Sequence, residues 1–244
     1  MSFLRASRFA IVGGLRPHPT TSSFAQIRHH GRRFSTTTAT MAASPRRHFD
    51  RPVVFVCDMQ EKFRNAIWQF DKITLTAQKV LRAAHTLKIP VVVTTQNAAK
   101  LGATVSELEP LVVAGAMISA DKTAFSMMRA PAVEAEFGPE TPLSQVVIVG
   151  IETHICVTQT ALDLLAQGHR VYVLADGVSS CNAEEIPIAL ARLRAAGVVV
   201  TTSESWLYEC MGDAAIPEFR DVAKLVKETS ADTKLVLTEL LSKM

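Results

Sequence analysis

Short runs of β-branched residues alternate along this chain with longer stretches whose apolar residues recur every three or four positions. The first pattern is typical of buried strands and the second of amphipathic helices. Because the strand-like runs show no polar alternation, we expect a mainly parallel sheet that is covered on both faces. Six strands are predicted, of which the third is weak: residues 53–57, 90–95, 117–120, 145–150, 170–175 and 198–202.

Helices are predicted between and after these strands, at residues 71–88, 154–167, 183–196 and 217–243. The first ends before Pro90, because the residue ahead of a proline disfavours helical geometry. The second and third end at Gly168 and Gly197, which are typical C-cap residues. The last segment is predicted to form two helices with a break between them. The leucines of the second helix either cap the domain or contact a second subunit.

This alternation predicts an α/β fold, namely a single doubly wound, Rossmann-like domain with helices on both faces of a six-stranded sheet. Ligands of such sheets bind beyond the carboxyl ends of the strands, where the strand order reverses. The residues that follow the strands are therefore the candidates for chemistry.

The first 49 residues differ in composition from the rest of the chain. They contain eight of the 26 basic residues, all of them arginine, and no Asp or Glu. Together with many Ser and Thr, this is typical of a cleavable transit peptide, and it predicts a protein of the mitochondrial matrix. A basic arm that binds nucleic acid has a similar composition.

Residues 50–244 carry the other 18 basic side chains against 23 acidic ones, a net charge of −5. We expect neither nucleic acid nor a membrane as a partner, since no apolar run approaches the roughly 20 residues that span a bilayer. The expected organisation is a leader at 1–49, one catalytic domain at 50–228 and a helical tail at 229–244.

Several common sites are excluded by their motifs. The first strand runs into CDMQEKF where a dinucleotide-binding fold has GxGxxG, and the chain has no P-loop. The segment GVSSC at 177–181 lacks the second glycine of a serine-hydrolase elbow. The four cysteines form no CxxC pair, which favours free thiols over a structural zinc site.

An acid, a lysine and a thiol lie at the predicted strand ends instead: Asp58 after the first strand, Lys122 in the loop ISADKTAFSM and Cys156 after the fourth strand. A thiolate is a strong nucleophile, an ammonium stabilises it, and a carboxylate transfers its proton. Simpler interpretations stay open at this point. Asp58 is also a typical turn former, Lys122 a typical surface residue and Cys156 a typical core residue.

The remaining polar candidates are interpreted as structural. Cys57 precedes Asp58 within a strand and therefore points to the opposite face of the sheet. Cys181 and Cys210 lack a strand-to-helix setting. His154 lies two residues from Cys156 in the same turn, so the two side chains diverge.

Four segments resemble the isochorismatase-like cysteine hydrolases: CDMQEKF at 57–63, KTAFSM at 122–127, GIETHICVTQTALDLL at 150–165 and DGVSS at 176–180. The resemblance covers roughly residues 52–228. The segment GDAAIPEFRDVAKLVKE at 212–228 is most similar to the eukaryotic isochorismatase domain-containing proteins. The resemblance implies the strand order 3-2-1-4-5-6, in which Asp58 and Cys156 face each other across the crevice at the reversal point.

The resemblance also implies residue roles. Cys156 is the nucleophile, Asp58 the general base and Lys122 the third member of a catalytic triad. A cis peptide bond is implied between Ile151 and Glu152, and the backbone N–H groups of Glu152 and Cys156 form an oxyanion hole. The implied reaction is attack of the thiolate on an amide-like carbonyl, release of an amine and hydrolysis of the thioester.

Two differences from other members of the superfamily restrict the function that the resemblance implies. Nicotinamidases of the superfamily bind a metal through an Asp-x-His pair and a further His after the second strand, whereas residues 88–110 contain neither Asp nor His. We therefore expect no metal and no cofactor. Authentic isochorismatases cleave a vinyl ether without a thiol nucleophile, so the family name does not give the substrate. Some residues are candidates for substrate binding because they lie close to these motifs in the sequence: Phe63, Trp68, Gln96, Phe125 and Thr153.

The resemblance thus implies a metal-independent cysteine hydrolase that acts on a small amide-like molecule and forms a homo-oligomer. Two other classes stay open. One is a non-catalytic binding or scaffold protein that retains the fold, and the other is a nicotinamidase-like amidase.

Overall fold

The computed structural model describes residues 47–242 of the chain. The predicted leader lies almost entirely outside this range, so its role as a transit peptide stays a prediction. Within the described range, every helix is too short or too polar to cross a bilayer.

The strands are β1 Pro52–Cys57, β2 Val91–Gln96, β3 Ala116–Lys122, β4 Gln145–Ile151, β5 Arg170–Ser179 and β6 Val199–Thr201. They form one sheet in the order β3-β2-β1-β4-β5-β6, with each neighbouring pair parallel. The predicted fold class and strand order are confirmed. The order reverses between β1 and β4, which places a crevice beyond the ends of these two strands.

The described α-helices are α1 Phe70–Leu87, α2 Ala98–Leu101, α3 Glu109–Gly115, α4 Pro131–Phe137, α5 Thr158–Ala166, α6 Glu185–Ala196, α7 Ser203–Met211, α8 Phe219–Glu228 and α9 Ser230–Leu241. The apolar pattern does not predict α2, α3, α4 and α7. These helices have four to nine residues, and a helical period is recognisable only over a window of roughly 11–18 residues.

The sheet separates two hydrophobic cores. Along β1, Val54 and Val56 face the core that α1 shares with the C-terminal helices, whereas Phe55 and Cys57 face the core of α4, α5 and α6. This alternation is the period of two that a strand imposes. Helix α9 packs against α1 and buries Val236 and Leu240, so the end of the chain caps the domain.

The structure corrects the predicted position of Lys122. This residue is the last of β3 and not part of a loop. Exposure alternates along β3, because the strand lies at the edge of the sheet, and its apolar pattern is correspondingly weak. Lys122 pairs in register with Gln96 of β2, which holds it beside the ends of the central strands.

Gly150 of β4 pairs in register with Cys57 of β1. Its φ is +115°, and a Cβ atom there would lie 2.1 Å from the carbonyl oxygen of Cys57. We expect Gly150→Ala to lower the free energy of unfolding by about 3 kcal/mol, because the β1 backbone has to shift. Gly197→Ala is the matched control.

Gly197 also has a positive φ, +102°, but has no atom within 4 Å of the added Cβ. Its substitution should cost only about 1–2 kcal/mol, the cost of a left-handed non-glycine residue. Urea unfolding of both variants measures the difference, and equal losses would contradict the proposed clash.

Candidate active site

A cavity of about 330 Å³ opens at the crevice between β1 and β4. Its apolar wall consists of Phe63, Leu101, Phe125, Ile151 and Ile155. Its polar lining consists of Asp58, Gln96, Asn97, Glu152 and Cys156. The acid and the thiol that the sequence selects therefore share one cavity at the predicted edge of the sheet.

A larger groove, of about 480 Å³, lies elsewhere on the domain, between α1 and the α3–β3 segment. It is a shallow surface feature, and His85 and Lys88 are its titratable residues. Since it contains neither an acid nor a thiol, the smaller cavity is the better candidate for catalysis.

Asp58 directly follows β1 and is held by three features. Its backbone is left-handed, with a φ of +53°, a conformation that Asp tolerates better than most residues. Its Oδ1 accepts a hydrogen bond of 2.8 Å from the Thr94 hydroxyl, and its Oδ2 lies 2.7 Å from Lys122 Nζ. The carboxylate is thus oriented before any substrate binds.

Lys122 and Asp58 form a buried ion pair, with side chains that are 2% and 1% exposed. Lys122 Nζ also donates a hydrogen bond of 2.7 Å to Gln96 Oε1. Two hydrogen bonds hold Gln96 in turn. Its side-chain amide donates to the Thr123 carbonyl, and its backbone N–H donates to Gln60 Oε1 at 2.7 Å. The ammonium therefore has two fixed acceptors, one charged and one neutral.

Cys156 lies in the turn that joins β4 to α5. This turn, Thr153–Val157, is a single stretch of π-helix, a wide turn that is frequent at functional sites. The Glu152 carbonyl accepts the N–H groups of Ile155 and Val157, at 3.0 and 3.1 Å. The peptide bond before Glu152 is cis, at the position that the family resemblance implies. Cys156 lies at the start of the helical segment, with a side chain that lines the cavity.

The pKa values of Cys57, Cys181 and Cys210 are all raised. Burial raises the pKa of Cys57 well above its ordinary value, and contacts with Cys156 and Asp58 raise it further. Burial raises the pKa of Cys210 to about 12. A hydrogen bond to Glu152 raises the pKa of Cys181. Cys57 and Cys210 are buried, as predicted, whereas Cys181 is exposed. The predicted orientation of Cys57 away from Asp58 is wrong, because the Cys57 Sγ lies 3.6 Å from Asp58 Oδ2, where the left-handed backbone of Asp58 breaks the alternation of the strand.

The five candidate substrate-binding residues separate into two groups. Phe63, Gln96 and Phe125 line the cavity, and Phe125 is half exposed at its mouth. Trp68 and Thr153 do not line it. Trp68 lies against the end of β5, where its backbone N–H donates to the Ser180 carbonyl, and Thr153 is fully buried.

Sequence reasoning missed Asn97, Leu101 and Ile155 as lining residues. Asn97 follows β2 directly, so its position after a strand was the one available signal. His154 diverges from Cys156 as predicted, since its Nδ1 lies 2.9 Å from the Ser180 hydroxyl.

The part of the chain that contains these residues is similar to known proteins. Residues 52–205 match the isochorismatase domain. Isochorismatase domain-containing protein 2 of Xenopus laevis is 42% identical over 184 residues, which cover 75% of this chain and 87% of that protein. Isochorismatase domain-containing protein 1 of Salmo salar is 41% identical, and the match covers 75% of this chain and 64% of that protein.

A solved structure described as the MAR1 ribonuclease from Caenorhabditis elegans is also similar. It is 37% identical, with a TM-score of 0.67, and the match covers 72% of this chain and 90% of that one. Asp58, Lys122 and Cys156 all lie inside the segment that matches the isochorismatase domain.

Proposed function

This chain belongs to the isochorismatase domain family, and we propose that it is a cysteine hydrolase that cleaves a small amide-like molecule without a metal ion. Its fold is that of the isochorismatase-like hydrolases. The observation that carries the proposal is the buried Asp58–Lys122 ion pair, whose carboxylate shares a cavity with the Cys156 thiol.

The proposed reaction begins with proton transfer from the Cys156 thiol to the Asp58 carboxylate. The thiolate attacks the carbonyl carbon, a C–S bond forms, and the carbonyl electrons move to oxygen. The backbone N–H groups of Glu152 and Cys156 stabilise this oxyanion. Asp58 then gives its proton to the amine nitrogen, and the C–N bond breaks to leave a thioester.

Hydrolysis of the thioester uses the same groups. Asp58 removes a proton from a water molecule, the resulting hydroxide attacks the thioester carbonyl, and the C–S bond breaks to release the acid. The Asp58 proton then restores the Cys156 thiol. Lys122, at 2.7 Å, stabilises Asp58 as an anion at the start of each half-reaction.

The cavity favours a small and largely neutral substrate. Its volume of about 330 Å³ is at the lower end of the range for ligand sites. The aromatic rings of Phe63 and Phe125 face it, and the amides of Gln96 and Asn97 offer neutral hydrogen-bonding groups. We propose a substrate with a short apolar group beside a primary amide or a related carbonyl.

The alternatives have less support. A ribonuclease activity, suggested by the name of the similar C. elegans protein, would place a polyanion on a domain whose residues 50–244 carry a net charge of −5. A nicotinamidase activity lacks its family metal ligands, since residues 88–110 contain neither Asp nor His.

Location and assembly are also part of the proposal. The arginine-rich and acid-free composition of residues 1–49 supports import into the mitochondrial matrix. We propose a homo-oligomeric enzyme, and light scattering of the protein without residues 1–46 would measure its subunit number.

Alkylation by iodoacetamide tests the nucleophile directly. At pH 7 we expect Cys156 to react at least about tenfold faster than Cys57, Cys181 or Cys210, because the raised pKa values of these three thiols suppress their thiolates. Peptide mass spectrometry after short reaction times measures each rate. Denaturation in urea is the control and should equalise the four rates. A native rate for Cys181 that equals the rate for Cys156 would contradict the proposed nucleophile.

A further inference from the structure

The ends of β4 and β5 bring three metal-binding side chains together next to the cavity. The two strands pair through Gly150 with Val178 and Ile151 with Ser179, so the residues after them are neighbours. Glu152, His154 and Cys181 each place one ligand atom within 4.8 Å of the other two. This cluster is separate from the proposed catalytic side chains.

We propose that Glu152, His154 and Cys181 bind a divalent transition-metal cation of the zinc class. Carboxylate, imidazole and thiolate together are ligands that Zn²⁺ and Co²⁺ prefer, whereas Mg²⁺ and Ca²⁺ bind oxygen. In a tetrahedral site the ligand atoms lie about 3.4–3.7 Å apart, so the side chains have to converge by roughly 1 Å. Rotation about side-chain bonds is sufficient for such a movement.

Two hydrogen bonds already hold the ligands in place. The backbone N–H of Cys181 donates to Glu152 Oε2 at 2.8 Å, which ties the carboxylate to the end of β5. The Ser180 hydroxyl lies 2.9 Å from His154 Nδ1, and this nitrogen is 4.0 Å from Glu152 Oε2. Such supporting contacts orient the ligands of metal sites.

The exposure of the three side chains indicates the side from which a cation reaches the cluster. The side chains of Glu152 and His154 are only 18% and 23% exposed, whereas Cys181 is exposed. A cation therefore approaches from the Cys181 side, and water completes its coordination. The Cys181 Sγ lies within 4.8 Å of the Glu152 carboxylate. On cation binding, the thiol proton is released to solvent as the metal–sulfur bond forms.

This site differs from the metal site of the nicotinamidases, whose ligands follow the second strand. It is also independent of the proposed hydrolase activity, because none of its three side chains takes part in the proposed reaction. Glu152 nevertheless lines the cavity, so a bound cation becomes part of the cavity wall.

Titration of the full-length protein with Co²⁺ tests the site, because a cobalt–thiolate bond gives a charge-transfer absorption band in the near ultraviolet. We expect one band that saturates at one Co²⁺ per chain and is displaced by Zn²⁺. Cys156→Ser should retain the band, and Cys181→Ser should lose it. His154→Asn should weaken Co²⁺ binding at least about tenfold.

His48→Asn is the matched control, since the side chain of His48 is 56% exposed and lies outside the cluster. It should bind Co²⁺ like the unmodified protein. Thermal unfolding of all variants without metal shows whether each is folded. A band that persists in Cys181→Ser, disappears in Cys156→Ser or is absent from the unmodified protein at saturating Co²⁺ would overturn the proposal.

Discussion

Replacing Cys156 with alanine removes the hydrolase activity: we expect kcat/KM to fall by at least about 10³-fold, because the thioester intermediate requires the sulfur. The fold should persist, since removal of one thiol group from a residue that is 7% exposed leaves only a small space. Amine or ammonia release from a panel of small amides and carbamoyl compounds measures the change. Short apolar amides are the substrates that the cavity favours.

Cys181→Ala is the matched control for this prediction, because it removes an exposed thiol that does not line the cavity. We expect its kcat/KM to lie within about threefold of the unmodified enzyme. If Cys156→Ala kept the full activity of the unmodified enzyme, catalysis would not depend on this thiol. The alternative of a non-catalytic binding protein would instead be supported if the unmodified protein bound compounds of the panel without turnover.

The second large effect concerns the stability of the domain. We expect Lys122→Met to lower the free energy of unfolding by about 3–5 kcal/mol, because it leaves the Asp58 carboxylate buried without its cation. Urea unfolding followed by circular dichroism measures the loss. Arg82→Met is the control, since its ion pair with Glu228 is 45% exposed on both sides and should contribute only about 0–1 kcal/mol.

The double variant Asp58→Asn/Lys122→Met separates stability from catalysis. The introduced asparagine side chain can still accept the hydrogen bond from Thr94, and no buried charge remains, so most of the lost stability should return. Activity should not return, because neither a proton acceptor nor its cation is present. Recovery of activity together with stability would show that the pair has only a structural role.

The positions of Asp58 and Cys156 were predictable because they depend on local features. Each follows a run of buried β-branched residues, and a parallel sheet brings the residues after its strands to one edge. The family resemblance then identified β1 and β4 as neighbours, which the sheet confirms. For Lys122 the sequence predicts the correct edge but a loop, since the half-exposed strand β3 shows only a weak apolar pattern.

By itself, the sequence determined the order of the six strands and of the helices with a recognisable apolar period, because hydrophobic periodicity is local. The tertiary structure decided which polar groups are partners. The contact of Lys122 with Asp58 and Gln96 joins residues 64 and 26 positions apart, and Cys181 meets Glu152 across 29 positions. Such contacts depend on strand register and on the path of segments such as the π-helical turn Thr153–Val157, which the predicted helix at 154–167 does not distinguish from an ordinary α-helical turn.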